Sequence, residues 1–398
     1  MSGLRLDPLE SLLQEEFRYF ARKILRPFAA EADRIADIPA ELSHKPEVVS
    51  FMSAHVPEEM SDGWPSLLYK GRRHDLSSSM RLRMIIAEEM GYGDVPLYLA
   101  LPGPGLAEPI LKRLGSPEQI KRLFGIFLES VPRWAAFAMT EPNAGSDVTA
   151  MTTTATKENE SYVINGRKWF IGNGARADWL VVFATINRNS GPFGIRPFIV
   201  TRGTPGFRIG RILPSMGLKA LQISELIFED CRIAEENLLG AREFDAKRSG
   251  FREGLQVFNA MRPVVGAMAI GITRAAIEYL EEAVKTDRAS HWRARNWIEM
   301  DREIEAMKPR LHAARLLCWK AAWLYDNGDD NTREAAAAKV FASRTAINIC
   351  SRAQDLARRA NVSNISALEK LCRDVRAFEY LEGTEDVLKL SIAKTLTR

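Results

Sequence analysis

Apolar residues recur near the start of the chain at Leu13, Phe17, Phe20, Ile24 and Phe28. Spacings of three and four lay them in one stripe along a helix. Helical patterning continues to about Leu128, and SPEQIKRLFGIF marks one helix start within it. Ser116 can cap, Pro117 suits the first helical position, and Gln119 completes a capping box. From about Pro132 to Leu239 the period falls to two. The β-branched and aromatic runs YVI, LVVFATI, FIVT and ELIF are divided there by Gly, Pro and Asn. YVINGRKWFI predicts a hairpin, with Asn165 and Gly166 as the two positive-φ residues of a type I′ turn.

From about Gly250 long helical runs return, in FNAMRPVVGAMAIGITRAAIEYLEEAV, MDREIEAMKPRLHAARLLCWKAAWLY and NTREAAAAKVFASRTAINICSRAQDLARRA. The last of these has a predicted capping box between Asn331 and Glu334. A final helix is expected to begin at LEGTEDV. Long helices joined by short loops predict an antiparallel bundle. The expected fold is therefore α+β and multidomain. It has an N-terminal all-α domain over 1–130, a middle antiparallel β-barrel or sheet domain over 131–240, and a C-terminal four-helix bundle over 241–398.

Composition narrows the function without naming it. The 398 residues are 46% hydrophobic and 27% charged, which is ordinary for a globular protein with several cores. Lys and Arg number 55 against 51 Asp and Glu, and the basic residues are scattered, so a nucleic-acid partner is not implied. Cys231, Cys318, Cys350 and Cys372 form no C-x-x-C pair, and His44, His55, His74, His291 and His312 are dispersed. This pattern offers neither a disulfide framework nor a metal site. The first residues lack the apolar core of a signal peptide, and no window of about 18 or more apolar residues is evident. A cytoplasmic protein with no membrane partner is expected.

Within LEGTEDV, Glu382 stands just ahead of the predicted last helix. The helix dipole alone favours an acid there, by a few tenths to about 1 kcal/mol. A longer pattern gives this residue a second meaning. FAMTEPNAGSDVTAMTTTATKENESYVINGRKWFIGNGARADWLVVFAT, starting at Phe137, resembles the signature of the acyl-CoA dehydrogenase family. There a TEPxAGSD loop leads into strands carrying NGxKxxIxN. LGSPEQIKRLF, MGLKALQISELIFEDCRIAEENLLG, MRPVVGAMAIGI and LEGTEDVLKLSIAKTL follow the same family in register. The resemblance runs from about Leu9 to Thr397.

The resemblance implies an FAD enzyme that removes the α-proton and β-hydride of an acyl thioester to give the 2-enoyl product. Glu382 matches the family's general base. Its backbone N–H would bind the thioester oxygen, as an oxyanion hole does. Desolvation would raise a carboxyl toward the roughly 6 to 7 that a base needs near neutral pH. Met261 stands where some subfamilies place the base instead, and a thioether cannot take a proton. Phe137, Met139 and Thr140 match the strand along the flavin ring. Gly145 and Ser146 match the turn near the pyrophosphate and the thioester, and Phe170, Ile171 and Gly172 match a second flavin strand. Gln354, Thr384 and Asp386 match further FAD positions. Ser146, Asn259, Arg262 and Lys394 match substrate positions. The implied partners are an acyl-CoA or acyl-carrier-protein thioester, an electron-transfer flavoprotein or dioxygen as acceptor, and copies of the chain in a homodimer or homotetramer.

Four departures qualify the resemblance. Gly172 replaces a threonine whose hydroxyl would reach the flavin. Arg358 and Arg359 replace paired glycines after Gln354. The R-x-x-F-G motif is replaced by KTDRASHW, where Arg288 is a loose counterpart. Leu381 replaces a common tyrosine before the base. They leave two alternatives open: a flavin oxidase or monooxygenase of the same fold, and a non-catalytic scaffold with weakened FAD binding.

Overall fold

The structure is a computed structural model that describes residues 6–57, 60, 79–240, 250–287, 294–362 and 364–397, with backbone alone for 250–259, 286–287 and 294–297. The N-terminal part comprises α1 (Pro8–Tyr19), α2 (Ala29–Ile35), α3 (Ala40–Ser43), α4 (Pro46–Ser53), α5 (Met80–Ala100), α6 (Ala107–Leu114) and α7 (Pro117–Gly125). Leu13 and Phe17 are fully buried and Phe20 and Ile24 nearly so, as the stripe predicts. The chain passes through a π-helical turn at Phe20–Leu25 before α2. Ser116 and Gln119 form the predicted capping box on α7.

Seven strands follow: β1 (Ala135–Ala138), β2 (Thr154–Glu158), β3 (Ser161–Ile171), β4 (Trp179–Thr185), β5 (Ile195–Thr201), β6 (Phe207–Ile212) and β7 (Ser224–Ala234). They form one sheet in the order β1-β4-β2-β3-β7-β6, with β5 paired along the whole length of the other edge of β4. The sheet is mixed rather than wholly antiparallel, because β1 and β2 both run parallel to β4. The Asn165-Gly166 hairpin does not form. β3 runs straight through it, and the hairpin turn lies earlier, at Asn159 with φ 55°, where Glu158 pairs with Ser161. Gly166 instead sits in a bulge against β7, with φ 152°. A Cβ there would come within 2.4 Å of the Thr153 hydroxyl, so glycine serves a close strand approach rather than a turn.

The C-terminal part holds α8 (Gly250–Asp287), α9 (Ala294–Asp326), α10 (Thr332–Arg359), α11 (Ser366–Asp374) and α12 (Glu385–Leu396). Asn331 caps α10 by position only. Its side-chain amide donates to the Ala321 carbonyl at 3.0 Å, and Glu334 pairs with Arg333, so the predicted capping box is absent. Ala260–Lys285 is long and apolar enough to cross a membrane, against the sequence reading, but 83% of its apolar window is buried in the protein. A helix apolar on all sides belongs at the centre of a bundle. Accordingly α8 shares one core with α5, α9, α10 and α11. That core joins the first and last parts of the chain, while α6 and α7 pack their apolar faces on β4 and β5.

Candidate active site

After α11 the chain makes a 3₁₀ turn at Val375–Glu379 and reaches Glu382 just before α12. Glu382 has φ 55° and Gly383 φ 105°, two successive left-handed residues. A glutamate pays for that conformation, so neighbours must hold it there. Two cations do so. From α8, Arg262 donates Nε–H to the Glu382 carbonyl oxygen at 3.3 Å. From α10, Lys339 donates to the Gly383 carbonyl oxygen at 2.7 Å, and more distantly, at 3.5 Å, to that of Glu379. Thr384 occupies the N-cap of α12 without a side-chain cap bond.

Glu382 as a residue is half-buried. Oε2 is buried and has no hydrogen-bond partner among the described residues. Burial raises its pKa to about 7, and the positive charges of Arg262 and Lys339 limit the rise. Burial also lowers Lys339 to about 8, against the pull of Glu382. A carboxyl poised near neutrality, with an unengaged oxygen, can take a proton from carbon at physiological pH.

A second group of residues gathers on the sheet. Trp169 donates its backbone N–H to the Thr140 carbonyl at 2.8 Å, and Lys168 Nζ donates to the Met139 carbonyl at 3.0 Å. These bonds place Met139 and Thr140 beside the Lys168–Phe170 stretch of β3, while the Phe137 ring packs on Phe183 with centroids 5.1 Å apart. Lys168 also meets Glu141 at 2.8 Å, with both side chains buried. Glu141 further accepts from Thr152 N, Thr152 Oγ1 and Thr153 N. The TEPNAGSD loop is thus clamped to NGRKWF by a buried ion pair. Phe170, with φ 60°, turns its ring outward and is 63% exposed, whereas Ile171 is buried. Gly145 and Ser146 are exposed, and a Cβ added to Gly145 would touch nothing within 4 Å. Its glycine is therefore not demanded by the chain's own packing.

Residues 216–222 link the two groups. Arg373 Nη1 donates to the Met216 carbonyl at 2.9 Å, and Leu218 N donates to Asp374 Oδ1 at 2.8 Å. At the far end Asn173 N donates to the Leu221 carbonyl at 2.9 Å, and the Leu221 side chain lies 3.0 Å from where a Gly172 Cβ would be. MGLKALQ thus fixes the end of α11, and with it the Glu382 turn, relative to the sheet. The absent threonine at Gly172 now has a physical reason, since Leu221 fills its space.

The remaining expected residues are less concentrated. Gln354 is half-buried on α10, which stays helical through Arg359 where the family pattern has glycines. Arg358 pairs with Glu369 at 3.4 Å and Arg359 with Glu303 at 3.2 Å. Asp386 and Lys394 lie exposed on α12. The Asn259 side chain and Arg288 fall outside the described residues. Sequence reasoning missed Lys339. Its signal was present, because Lys339 falls on the buried stripe of α10 with Ala335, Ala336, Ala342, Ser343 and Ala346.

Comparison with known proteins agrees with the fold. The acyl-CoA dehydrogenase N-terminal, middle and C-terminal domains match residues 7–127, 136–231 and 248–397. The short-chain specific acyl-CoA dehydrogenase of Mus musculus mitochondria is 33% identical over 100% of this chain and 92% of its own length. An acryloyl-CoA reductase (NADH) of Anaerotignum propionicum is 32% identical over 98% of this chain and 94% of its own. The butyryl-CoA dehydrogenase structure from Megasphaera elsdenii superposes with a TM-score of 0.85 at 27% identity, covering 99% of this chain and 100% of that one.

Proposed function

The chain belongs to the acyl-CoA dehydrogenase family, whose members are FAD-dependent oxidoreductases, and on that premise we propose that it desaturates an acyl thioester between the α and β carbons. The observation that carries this reading is the Glu382 carboxyl, raised to about 7 and with Oε2 unpartnered among the described residues. Glu382 takes the α-proton as general base. Its backbone N–H, presented by the turn that Arg262 and Lys339 hold, meets the thioester oxygen as negative charge develops there.

The residues of the sheet fit FAD. Phe170 turns an aromatic face outward beside Met139 and Thr140, and the Gly145-Ser146 turn is open. Phe137, Met139, Thr140, Phe170, Ile171 and Gly172 would hold the ring, Gly145 and Ser146 the pyrophosphate, and Thr384, Asp386 and Gln354 the remainder. When bound, FAD supplies the acceptor for the β-hydride. Ser146, Asn259, Arg262 and Lys394 bind the thioester and its carrier, coenzyme A or a carrier protein. An electron-transfer flavoprotein or dioxygen then takes the electrons, and the chain works as a homodimer or homotetramer. Dioxygen, and hence an oxidase or monooxygenase, is favoured by one observation, the replacement of a hydroxyl at position 172 by the Leu221 side chain.

The test is an anaerobic absorption spectrum of the FAD-loaded protein during titration with saturated acyl-CoA thioesters. Loss of the oxidised flavin band with one class, and recovery on admitting air or an electron-transfer flavoprotein, is expected. A flavin band unchanged by every thioester would overturn the reading, and failure to take up FAD would favour a non-catalytic scaffold.

A further inference from the structure

Beside the Glu382 turn, the first and last helical parts enclose a cavity of about 60 Å³. Met261 and Val264 of α8 form one wall, and Phe51, Ala54 and Ile86 add apolar surface. Met261 is the residue before Arg262, whose guanidinium touches the Glu382 backbone. Tyr98, Met261 and Leu381 also pack on one common core. An acyl chain with its α-carbon at Glu382 therefore has this cavity as a place for its far end.

The other wall is polar and ionisable. His55, Arg83, Tyr98 and Glu108 line it, contributed by α5, α6 and the end of α4. Glu108 is already saturated. His55 Nδ1 lies 2.9 Å from Oε2, while Lys112 Nζ at 2.8 Å and Arg83 Nη2 at 3.5 Å donate to Oε1. Burial alone would raise the Glu108 pKa, but these neighbours hold it well below the usual carboxylate range. Donors also remain. Arg83 Nε is buried with no partner among the described residues, and the Tyr98 hydroxyl stands on the same wall.

The geometry points to a short acyl group whose far end carries a hydrogen-bond-accepting oxygen, a terminal carboxylate above all. This inference rests on the thioester reading given above. A methyl end would leave the buried Arg83 Nε–H unsatisfied, whereas a carboxylate gives it a charge-assisted partner. A site built to bond an oxygen discriminates strongly against an analogue that lacks it.

The test compares succinyl- and glutaryl-CoA with butyryl- and pentanoyl-CoA on the FAD-loaded full chain, by the rate of anaerobic flavin bleaching. At least a tenfold preference in kcat/KM for the carboxylate-ended member of each pair is expected. Tyr98→Phe, which removes only a hydroxyl, and Arg83→Met should each lower that preference several-fold, chiefly through KM, with folding checked by thermal melting. Should the wild type prefer the methyl-ended thioesters, or both variants keep the full preference, the inference is overturned while the dehydrogenase reading stands. Bleaching by none of these four but by another saturated acyl-CoA would overturn this inference alone, and bleaching by no thioester would remove the dehydrogenase reading and this inference with it.

Discussion

Lys339 Nζ lies 2.7 Å from the carbonyl oxygen of Gly383, so a buried ammonium on α10 both pins the left-handed turn at Glu382 and sets its electrostatics. Its charge pulls the Glu382 pKa down, against the burial that raises it to about 7. Lys339→Met removes that pull. The base then ionises only at higher pH, and the acid limb of the rate profile moves up by about one unit. A one-unit shift lowers turnover at pH 7 about fivefold to tenfold, with much of the loss regained near pH 9. A pH profile of flavin bleaching checks this. A uniform loss at every pH would mean that the lysine only supports the turn.

Glu382→Gln should separate catalysis from stability. Loss of a general base lowers the rate by about 10²- to 10⁴-fold, while FAD uptake stays at the wild-type level. The fold should meanwhile become firmer. An acid whose folded pKa is raised from 4.5 to about 7 keeps its proton in the native state after the unfolded chain has released it. Stability is therefore lost as pH rises through that window, by up to about 3 kcal/mol at pH 8. Glutamine has no such dependence. Denaturant melts at pH 4 and pH 8 should show the variant gaining on the wild type chiefly at the higher pH.

How far the sequence could be read depends on whether a feature lies in one segment or between segments. The three-part order, the stripe through Leu13 and Phe17 and the cap at Ser116 are local patterns, and each appears in the structure as expected. TEPNAGSD and NGRKWF were legible as motifs, but the Glu141–Lys168 pair that joins them spans separate strands and loops. Asn165-Gly166 misled because the same two residues serve a tight turn or a bulge, and only the approach of Thr153 decides between them. Lys339 was hidden by its setting. In NTREAAAAKVF a lysine reads as a solvated helix former, and only its place on the buried stripe marks it as different. The cluster at Glu108 draws on His55, Arg83 and Lys112 from separate elements, which no spacing rule brings together.

Breaking the buried pair at Glu141 should cost both stability and cofactor. Burial would raise this carboxyl, but Lys168 and the hydroxyl and amide donors of Thr152 and Thr153 bring it down to about 2. Such a depressed acid stabilises the fold fully above its ordinary value near 4.5, and the contribution is lost as pH falls toward 2. Glu141→Gln leaves Lys168 as an uncompensated buried charge, at a cost of about 3–5 kcal/mol. It should also loosen the loop carrying Gly145 and Ser146. The expected result is a lower melting temperature at pH 7 and weaker FAD uptake. An unchanged melt would show that Lys168 finds another partner or sheds its proton.

The last prediction concerns a carboxyl with no part in the proposed chemistry. Glu16, on α1, has both oxygens buried and unpartnered among the described residues, and burial raises its pKa to about 7. The sign is that of Glu382: the native state holds a proton between about pH 4.5 and 7 that the unfolded chain has given up, so stability falls as pH rises through that range. Glu16 as a residue is only half-buried on α1, so solvent screening discounts the full linkage value, to on the order of 1 kcal/mol. Glu16→Gln should therefore raise the denaturation midpoint at pH 8 and leave it unchanged at pH 4. Flavin bleaching by thioesters should keep its wild-type rate and pH profile, because α1 contributes nothing to the Glu382 turn. A midpoint that drops at both pH values would show that the ionised carboxylate has a partner that holds α1 in place.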